Sequence, residues 1–217
     1  RKGAFAVVST DIGERTTLTA GVTFDRFKPA VQSGLPGYAG GADGSDGRLL
    51  DVRRSTYLGA DWNRFDNTNT EGFVELEHRF DNGGKAKASL RVTDRDVDYL
   101  YGQGGSAVRP NGTITRGGTG RIYSESSVAT DVHVDTPFDL LGLTHNVVVG
   151  VDYRRYEQTV QNATVRVAGT TNVFNPTSDW PDPVVTYGAR SESDPQQAGV
   201  YSQLRLKPAE PLTVVLG

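Results

Sequence analysis

The hydrophobic and polar residues of this chain alternate with a period of two, and helical periodicity is almost absent. Such alternation places apolar side chains on one face of a β-strand and polar side chains on the other. The alternating runs lie at residues 15–27, 72–80, 85–93, 126–135, 145–155 and 198–206. Two shorter apolar runs, at residues 4–10 and 212–216, bring the number of predicted strands to about eight.

Short and long connections alternate strictly between these runs. The short turns are predicted at residues 11–14, 81–84, 135–144 and 207–211, and the long loops at about 28–68, 100–120 and 161–194. In the second short turn, the Asn82-Gly83 step supplies the left-handed residue of a type I turn with a bulge, which pairs Phe80 with Gly84. Since every second connection is long, all the long loops emerge at the same end of an up-and-down sheet.

The polar faces carry charges that match between neighbouring strands. Glu75 and Glu77 lie on one strand and Lys85 and Lys87 on the next, so we expect ion pairs of Glu75 with Lys87 and of Glu77 with Lys85. Apolar-out and polar-in strands with short turns at one end and long loops at the other are typical of a transmembrane β-barrel. In a soluble β-sandwich the polar face would be solvated, but nothing would require the asymmetry of the loops.

The pattern therefore predicts an all-β fold, an antiparallel up-and-down segment of a transmembrane β-barrel with short periplasmic turns and long extracellular loops. The alternative is a soluble or surface β-sandwich that binds carbohydrate or a host protein. A third hypothesis is a small, complete eight-stranded barrel, which a hydrogen-bonded ladder between the first and last strands would reveal.

Composition removes several classes of function. The 217 residues include no Cys and no Met, and 23 basic against 26 acidic residues give a net charge of −3. Without Cys there is no disulfide framework, thiolate metal site or Cys nucleophile, and without a basic excess we expect no nucleic-acid partner. No apolar run approaches the roughly 18 residues of a transmembrane helix. The chain begins with Arg1 and contains no Met, so we expect a segment of a longer protein.

No motif for catalysis or for a metal is present. His78, His133 and His145 have no metal-ligand spacing, and no Walker loop, nucleophile elbow or HExxH stretch occurs. We therefore expect no enzyme activity, no catalytic residue, no metal site and no cofactor. His133 is expected to be a hydrogen-bonded residue of the polar face, between two aspartates. Residues 43–47 faintly resemble a calcium loop but lack its ordered ligands, so a flexible loop is the better interpretation.

Several segments carry a family resemblance. Residues 54–67 (RSTYLGADWNRFDN) and 73–83 (FVELEHRFDNG) resemble the early barrel of TonB-dependent ferric-siderophore receptors, of the pyoverdine and pseudobactin type. Gly34-Leu35-Pro36 is similar to the first long loop of that group. Residues 201–206 with 211–217 resemble a later hairpin of the same barrel.

The resemblance implies an outer-membrane receptor whose 22-stranded barrel is occluded by an N-terminal plug. Such a receptor binds a ferric siderophore at its extracellular face and imports it with energy from TonB, while the iron stays within the siderophore. About eight strands are far fewer than 22, so residues 1–217 are expected to be a partial barrel domain without the plug and the remaining strands. TonB would act through the missing N-terminal region, lipid would surround the barrel, and the full-length protein would be a monomer.

Five residues are candidate contacts of the ferric siderophore. Trp62 and Tyr57 would stack on a planar chromophore or a catechol-like group, and Arg64 would attract an anionic chelate through its charge and paired donors. Trp62 has a second interpretation, as an aromatic-belt residue at the membrane interface. Tyr99 and Tyr101 share one side of their strand and form either a wall of the pocket or part of the aromatic girdle.

Overall fold

The computed structural model describes residues 1–29, 31, 34–38, 50–209 and 211–217, which form one antiparallel sheet of eleven strands. These strands are β1 (Lys2–Ile12), β2 (Thr16–Phe27), β3 (Arg64–Arg79), β4 (Lys85–Gly104), β5 (Thr113–Leu140), β6 (Leu143–Arg166), β7 (Thr170–Asn172), β8 (Val184–Tyr187), β9 (Ser191–Ser193), β10 (Gln196–Ala209) and β11 (Leu212–Leu216). Within this described part, no helix is long and apolar enough to cross a membrane. The segment with a faint likeness to a calcium loop, residues 43–47, lies outside it.

Eight strands lie side by side in chain order, β1-β2-β3-β4-β5-β6-β10-β11, and each is antiparallel to the next. This confirms the eight predicted strands and their up-and-down order, whereas β7, β8 and β9 were not predicted. The short strands β7, β8 and β9 pair with the loop-side ends of β5 and β6. Across the described residues, β1 pairs only with β2 and β11 only with β10, so no ladder closes a small eight-stranded barrel. In the part of the chain that the structure describes, the strands form one sheet rather than two packed sheets, so the alternative of a β-sandwich is wrong.

The tight turn at residues 81–84 has the predicted geometry. The Phe80 amide donates to the Gly84 carbonyl at 2.8 Å, and the Gly83 amide donates to the Phe80 carbonyl at 3.1 Å. Gly83 has φ +81°, the left-handed conformation that favours glycine. The turn therefore keeps the apolar positions of β3 and β4 on one side of the sheet.

The turn predicted over residues 135–144 is wrong in its length. The β5–β6 hairpin turns on two residues only, Leu141 (φ 55°) and Gly142 (φ 76°), the positive-φ pair of a type I′ turn. Pro137 lies inside β5, opposite Asn146. Beyond Asp135, β6 is the one strand that pairs with β5 among the described residues, and an unpaired strand edge tolerates a residue that lacks an N–H.

The strands are also longer than the alternation predicts. β4, β5 and β6 have 20, 28 and 24 residues, so most of the predicted loop at 100–120 is strand, and only residues 105–112 join β4 to β5. The predicted loop at 161–194 likewise begins within β6 and contains β7, β8 and β9. These strand ends carry polar residues on both faces, so no period-two pattern marks them.

One face of the sheet is apolar over the half nearest the short turns, and we call it the apolar face. Its side chains include Leu18, Ala20, Val22, Val74, Leu76, Ala88, Leu90, Val92, Val128, Val132, Val134, Val149, Val151 and Val200. Many are exposed, for example Val132 at 49% and Val151 at 50%. A contiguous exposed apolar band of this kind is what the outside of a transmembrane barrel presents to lipid.

The opposite face, which we call the polar face, carries the predicted ion pairs. Lys87 Nζ lies 3.0 Å from Glu75, and Lys85 Nζ lies 3.8 Å from Glu77. The strand register places Glu77 opposite Lys87, so both ion pairs are diagonal. In a barrel this face lines the lumen.

A small hydrophobic core lies at the loop end of the sheet. Its buried centre consists of Leu58, Val108, Ile114 and Val173. The Asp61 amide donates to the Ser178 carbonyl at 2.8 Å, which joins the first long loop to the third. A Cβ at Gly102 of β4 would lie 2.7 Å from the Trp180 ring, so these loops pack on the continuation of the apolar face.

Candidate ligand-binding wall on the polar face

Tyr99 and Tyr101 lie near the loop end of β4, beyond the apolar band. Their odd-numbered positions put them on the same face as Lys85, Lys87 and Arg91. The pocket-wall interpretation therefore fits their position, whereas a lipid-facing girdle requires the other face.

Phe65 of β3 completes a row of three rings with these tyrosines. It is the register partner of Tyr99, and the two rings stack with centroids 6.0 Å apart and 9° between their planes. The Tyr99 and Tyr101 rings follow at 5.4 Å and 30°. We call Phe65, Tyr99 and Tyr101 the aromatic wall; all three are half-buried.

Sequence reasoning assigned no role to Phe65. The sequence did indicate that Phe65 lies on the same face of its strand as Phe73, because both have odd numbers. Its pairing with Tyr99, however, depends on the register between β3 and β4. That register is set about 15 residues away, at the Asp81–Gly84 turn.

A charged residue borders the aromatic wall on the same face. Arg121 of β5 is the register partner of Tyr99, and its Nε donates to Asn162 Oδ1 at 2.7 Å. Burial, followed by the neighbouring Tyr99, raises the pKa of Tyr101, so its hydroxyl stays protonated and able to donate at neutral pH. The aromatic wall offers flat apolar surface and tyrosine hydroxyl donors, and Arg121 beside it adds a guanidinium.

Toward the apolar band, the polar face continues into a hydrogen-bonded network around Glu125. Tyr156 Oη donates to Glu125 at 2.5 Å, and Gln158 Nε2 donates to it at 2.7 Å. Arg95 lies with its guanidinium carbon 5.7 Å from the Tyr123 ring centroid and with Nη1 3.6 Å from Glu125. Burial and the Glu125 carboxylate together raise the pKa of Tyr156 to about 12. The network holds the strands beside the aromatic wall in a fixed arrangement.

Tyr57 fastens the first long loop to the sheet. Its hydroxyl lies 3.1 Å from the Val31 carbonyl and accepts a hydrogen bond from Asn63 Nδ2 at 3.1 Å. Asn63 Oδ1 in turn accepts from the Gly102 amide of β4 at 2.7 Å. The Tyr57 hydroxyl is therefore engaged within the protein.

Trp62 lies in a turn two residues before β3 and is half-buried. Its indole Nε1 is shielded from solvent and has no hydrogen-bond acceptor among the residues that the structure describes. A buried donor without an acceptor lowers the stability of the fold. The indole N–H of Trp62 is thus an unpaired hydrogen-bond donor at the loop end of the sheet. Trp180, in the third long loop, differs: it is 4% exposed and donates from Nε1 to the Thr177 carbonyl at 2.8 Å.

Arg64 lies on the other face from the aromatic wall. It is the register partner of Leu100, and its Nη2 lies 3.3 Å from Asp98. Arg64 and Phe65 are adjacent in sequence, and the alternation of a strand sends their side chains to opposite faces. The structure therefore brings Tyr99 and Tyr101 together and separates Arg64 from them.

The histidines lie apart from one another. His133 Nδ1 is 2.7 Å from Asp131 Oδ1 on the polar face, which confirms its predicted hydrogen bond. His78 Nδ1 bonds the Thr16 hydroxyl at 2.8 Å, and His145 is buried, with Nδ1 accepting from the Lys207 amide at 3.0 Å. In the described part of the chain, no three His, Asp or Glu side chains form a group that could hold a metal ion.

The sequence of this chain is similar to those of known outer-membrane receptors. The family model described as "TonB dependent receptor-like, beta-barrel" matches residues 3–217. The ferric-pyoverdine M114 receptor PbuA of Pseudomonas sp. (strain M114) is 29% identical over 224 residues, which are 98% of this chain and 26% of that protein. The ferrioxamine B receptor of Salmonella typhimurium (strain LT2) is 28% identical over 149 residues, which are 66% of this chain and 20% of that protein. The chain thus spans about a quarter or less of the length of these relatives.

Solved structures share the fold. The pyoverdine outer-membrane receptor FpvA of Pseudomonas aeruginosa PAO1, bound to pyoverdine, superimposes with a TM-score of 0.84 at 23% identity, over 98% of this chain and 31% of that one. The ferric-catecholate import receptor Fiu of E. coli K12 in its open form gives a TM-score of 0.83 at 18% identity, over 98% of this chain and 35% of that one.

Proposed function

Since the chain belongs to the TonB-dependent receptor-like β-barrel family, we propose that it is part of an outer-membrane receptor that binds a ferric siderophore at its extracellular face and imports it with energy from TonB. The family is one of receptors rather than of enzymes. Iron would pass through as cargo held by the siderophore. TonB would act through a region outside these residues, and the full-length receptor would work as a monomer with lipid around its apolar face.

The observation that carries this proposal is the position of the aromatic wall on the lumen side of a two-faced sheet. Lipid contact fits the apolar face, so a ligand entering from the loop end would meet the polar face. There Phe65, Tyr99 and Tyr101 offer stacked rings to a planar chromophore or an aromatic chelating group.

The candidate contacts divide into direct and supporting roles. Tyr99 and Tyr101 would contact the siderophore, and Trp62 would stack on it through the exposed part of its half-buried ring. Arg121, opposite Tyr99, would supply the positive charge expected of Arg64, which lies on the outer face. Tyr57 would hold the first long loop in place rather than bind the ligand.

The test uses the full-length receptor and two probes, ferric pyoverdine and ferrioxamine B, the ligands in the names of its relatives. The double variant Tyr99→Ala/Tyr101→Ala removes two stacking surfaces, each worth roughly 1 kcal/mol, and should weaken binding of the recognised probe by about tenfold or more. Tyr153→Ala is the matched control, because it removes a tyrosine ring from the apolar face.

Binding to detergent-solubilised receptor and uptake of ⁵⁵Fe by whole cells are the two measurements. Receptor that binds neither probe, nor any member of a broader siderophore panel, would contradict the proposed function. Binding that persists unchanged in the double variant would remove the aromatic wall from the site and leave the receptor function standing.

A further inference from the structure

The cations that β4 presents on the polar face are all paired with carboxylates. The ion pairs are Lys85 with Glu77, Lys87 with Glu75, Arg91 with Glu71 and Arg95 with Glu125, at 3.8, 3.0, 2.8 and 3.6 Å. Along this stretch of the strand, from the short turn to Arg95, the positive charge of β4 is therefore balanced locally.

Beyond the Arg95–Glu125 pair, toward the loops, the balance of charge on the polar face changes. On β3 to β6 the polar-face positions of this region hold two cations, Arg121 and Arg166, and no carboxylate. The acidic residues Asp61 and Asp179 belong to loop segments that pack on the continuation of the apolar face. The strands around the aromatic wall thus carry unbalanced positive charge.

Arg121 lies directly beside the aromatic wall. It is the register partner of Tyr99, and its one side-chain hydrogen bond to a described residue runs from Nε to the amide oxygen of Asn162, at 2.7 Å. An amide oxygen has no net charge, so it orients the guanidinium without neutralising it. The Nη groups of Arg121 stay available for a ligand.

Arg166 is the second cation, nearer the loop end of β6. It follows Asn162 and Thr164 at alternate positions of the strand, which puts it on the polar face. Val165, its neighbour in sequence, is buried against Gly118 on the other face. Arg166 is exposed and forms no ion pair with a described residue, so its charge adds to that of Arg121.

A ring that bears anionic oxygens satisfies both features of this surface. Its face would stack on Tyr99 or Tyr101, and the oxygens at its edge would accept hydrogen bonds from the Arg121 guanidinium. A catecholate is such a group. A trihydroxamate has no ring to stack on the aromatic wall, and a cationic chelate would meet Arg121 and Arg166 with no carboxylate beside them.

On the basis of the proposed function, we propose that the site selects ferric siderophores that are anionic and hold iron through a catecholate-type ring, and that it rejects cationic trihydroxamates. Arg121 is the specificity-determining residue, and Arg166 strengthens the positive field through which the siderophore approaches. The relatives do not decide this point, because receptors named for ferric pyoverdine and for ferrioxamine B resemble the chain to a similar degree.

The experiment measures binding to the full-length receptor in a nonionic detergent. The probes are ferric pyoverdine, a ferric tricatecholate and ferrioxamine B, a trihydroxamate with a protonated amine. Wild type should bind one of the two aromatic probes at least about tenfold more tightly than ferrioxamine B. The affinity for that aromatic probe should fall as the NaCl concentration rises, because salt screens its attraction to Arg121 and Arg166.

Two substitutions at Arg121 test its role. Arg121→Gln removes the charge and keeps a polar side chain, so it should weaken binding of the aromatic probe about tenfold and reduce the dependence on salt. Arg121→Glu should weaken it further and raise the affinity for ferrioxamine B. Arg64→Gln is the matched control, because it removes the same charge next to Phe65 but on the outer face, and it should leave binding unchanged.

Equal affinity of wild type for ferrioxamine B and for the aromatic probes, an affinity that does not depend on salt, or equal losses in Arg121→Gln and Arg64→Gln would each overturn the proposal. The salt series uses wild type alone, so it does not depend on the folding of any variant. Receptor that binds no siderophore would contradict the proposed function itself. Binding without a preference for charge would contradict only the selectivity proposed here.

Discussion

Gly150 of β6 is a position where the addition of one methyl group should be costly. A Cβ there would lie 2.5 Å from Tyr201 Oη and 2.8 Å from His133 Cβ, because the Tyr201 ring of β10 covers the glycine. The Tyr201 hydroxyl donates to Asp131 Oδ2 at 2.7 Å, so the ring cannot move without losing that bond. The perturbation is therefore Gly150→Ala.

The magnitude follows from three contributions. Overpacking costs about 1–3 kcal/mol. Loss of a hydrogen bond to a carboxylate adds about 1.5 kcal/mol, the low end of its range, because Tyr201 is 36% exposed. Replacement of a strand glycine by alanine returns about 0.5–1 kcal/mol of backbone entropy. We expect Gly150→Ala to lower the free energy of unfolding by about 3 kcal/mol.

The assay is guanidinium unfolding of the full-length receptor in lipid vesicles, followed by tryptophan fluorescence. The matched control is Gly72→Ala on the apolar face, where the new Cβ would lie 3.5 Å from Val92, an ordinary contact, and where we expect no loss of stability. In a Tyr201→Ala background the cost of Gly150→Ala should fall by at least about 1 kcal/mol. A coupling within about 0.3 kcal/mol of zero, or equal costs at the two glycines, would refute the reasoning.

Three further predictions concern single side chains. Trp62→Ala in the full-length receptor should weaken ferric-siderophore binding several-fold with normal expression; an unchanged dissociation constant removes Trp62 from the site. The phenol of Tyr156 should titrate near pH 12 in the 295 nm absorbance difference between wild type and Tyr156→Phe, and Glu125→Gln should lower that pKa because it removes the carboxylate charge. Arg26 and Lys28 lower the pKa of Asp66 from its ordinary value of 3.8. The contribution of the Asp66 carboxylate to the free energy of unfolding is therefore complete above pH 3.8 and is lost as the pH falls through the lower pKa of the folded state. The stability difference between wild type and Asp66→Asn should thus be constant from pH 7 to 5 and shrink below about pH 4, which unfolding curves at each pH would show.

Much of the fold could be predicted because the polar and apolar positions are locally coded. The alternation in β2 and the Asn82-Gly83 step each depend on a few neighbouring residues, and the structure confirms both. The ends of β4 and β5 could not be found in this way, because beyond the apolar band neither face is hydrophobic. Pro137 led to the prediction of a turn over residues 135–144 for a related reason. Whether a strand tolerates proline depends on which of its edges is paired, and the sequence does not show which edge that is.

The sequence predicted which types of residue form the candidate site, but it predicted only part of how those residues are arranged. Aromatic residues near the loop end were recognisable, and two of them, Tyr99 and Tyr101, lie together on the polar face. Phe65 was not predicted, and Arg64 lies on the opposite face from Tyr99 and Tyr101, because adjacent residues of a strand point in opposite directions and the partner of each is set by the register.

The sequence by itself determined the class of fold, the order of the strands, the two chemically different faces and the family resemblance, because each is written in local periodicity or in short motifs. Only the tertiary structure decided which side chains meet. The stacking of Phe65 on Tyr99, the covering of Gly150 by Tyr201 and the gathering of Arg26 and Lys28 around Asp66 join residues as many as 51 positions apart. Such contacts depend on strand register across several hairpins, and a one-residue shift in any of them would send every following side chain to the other face.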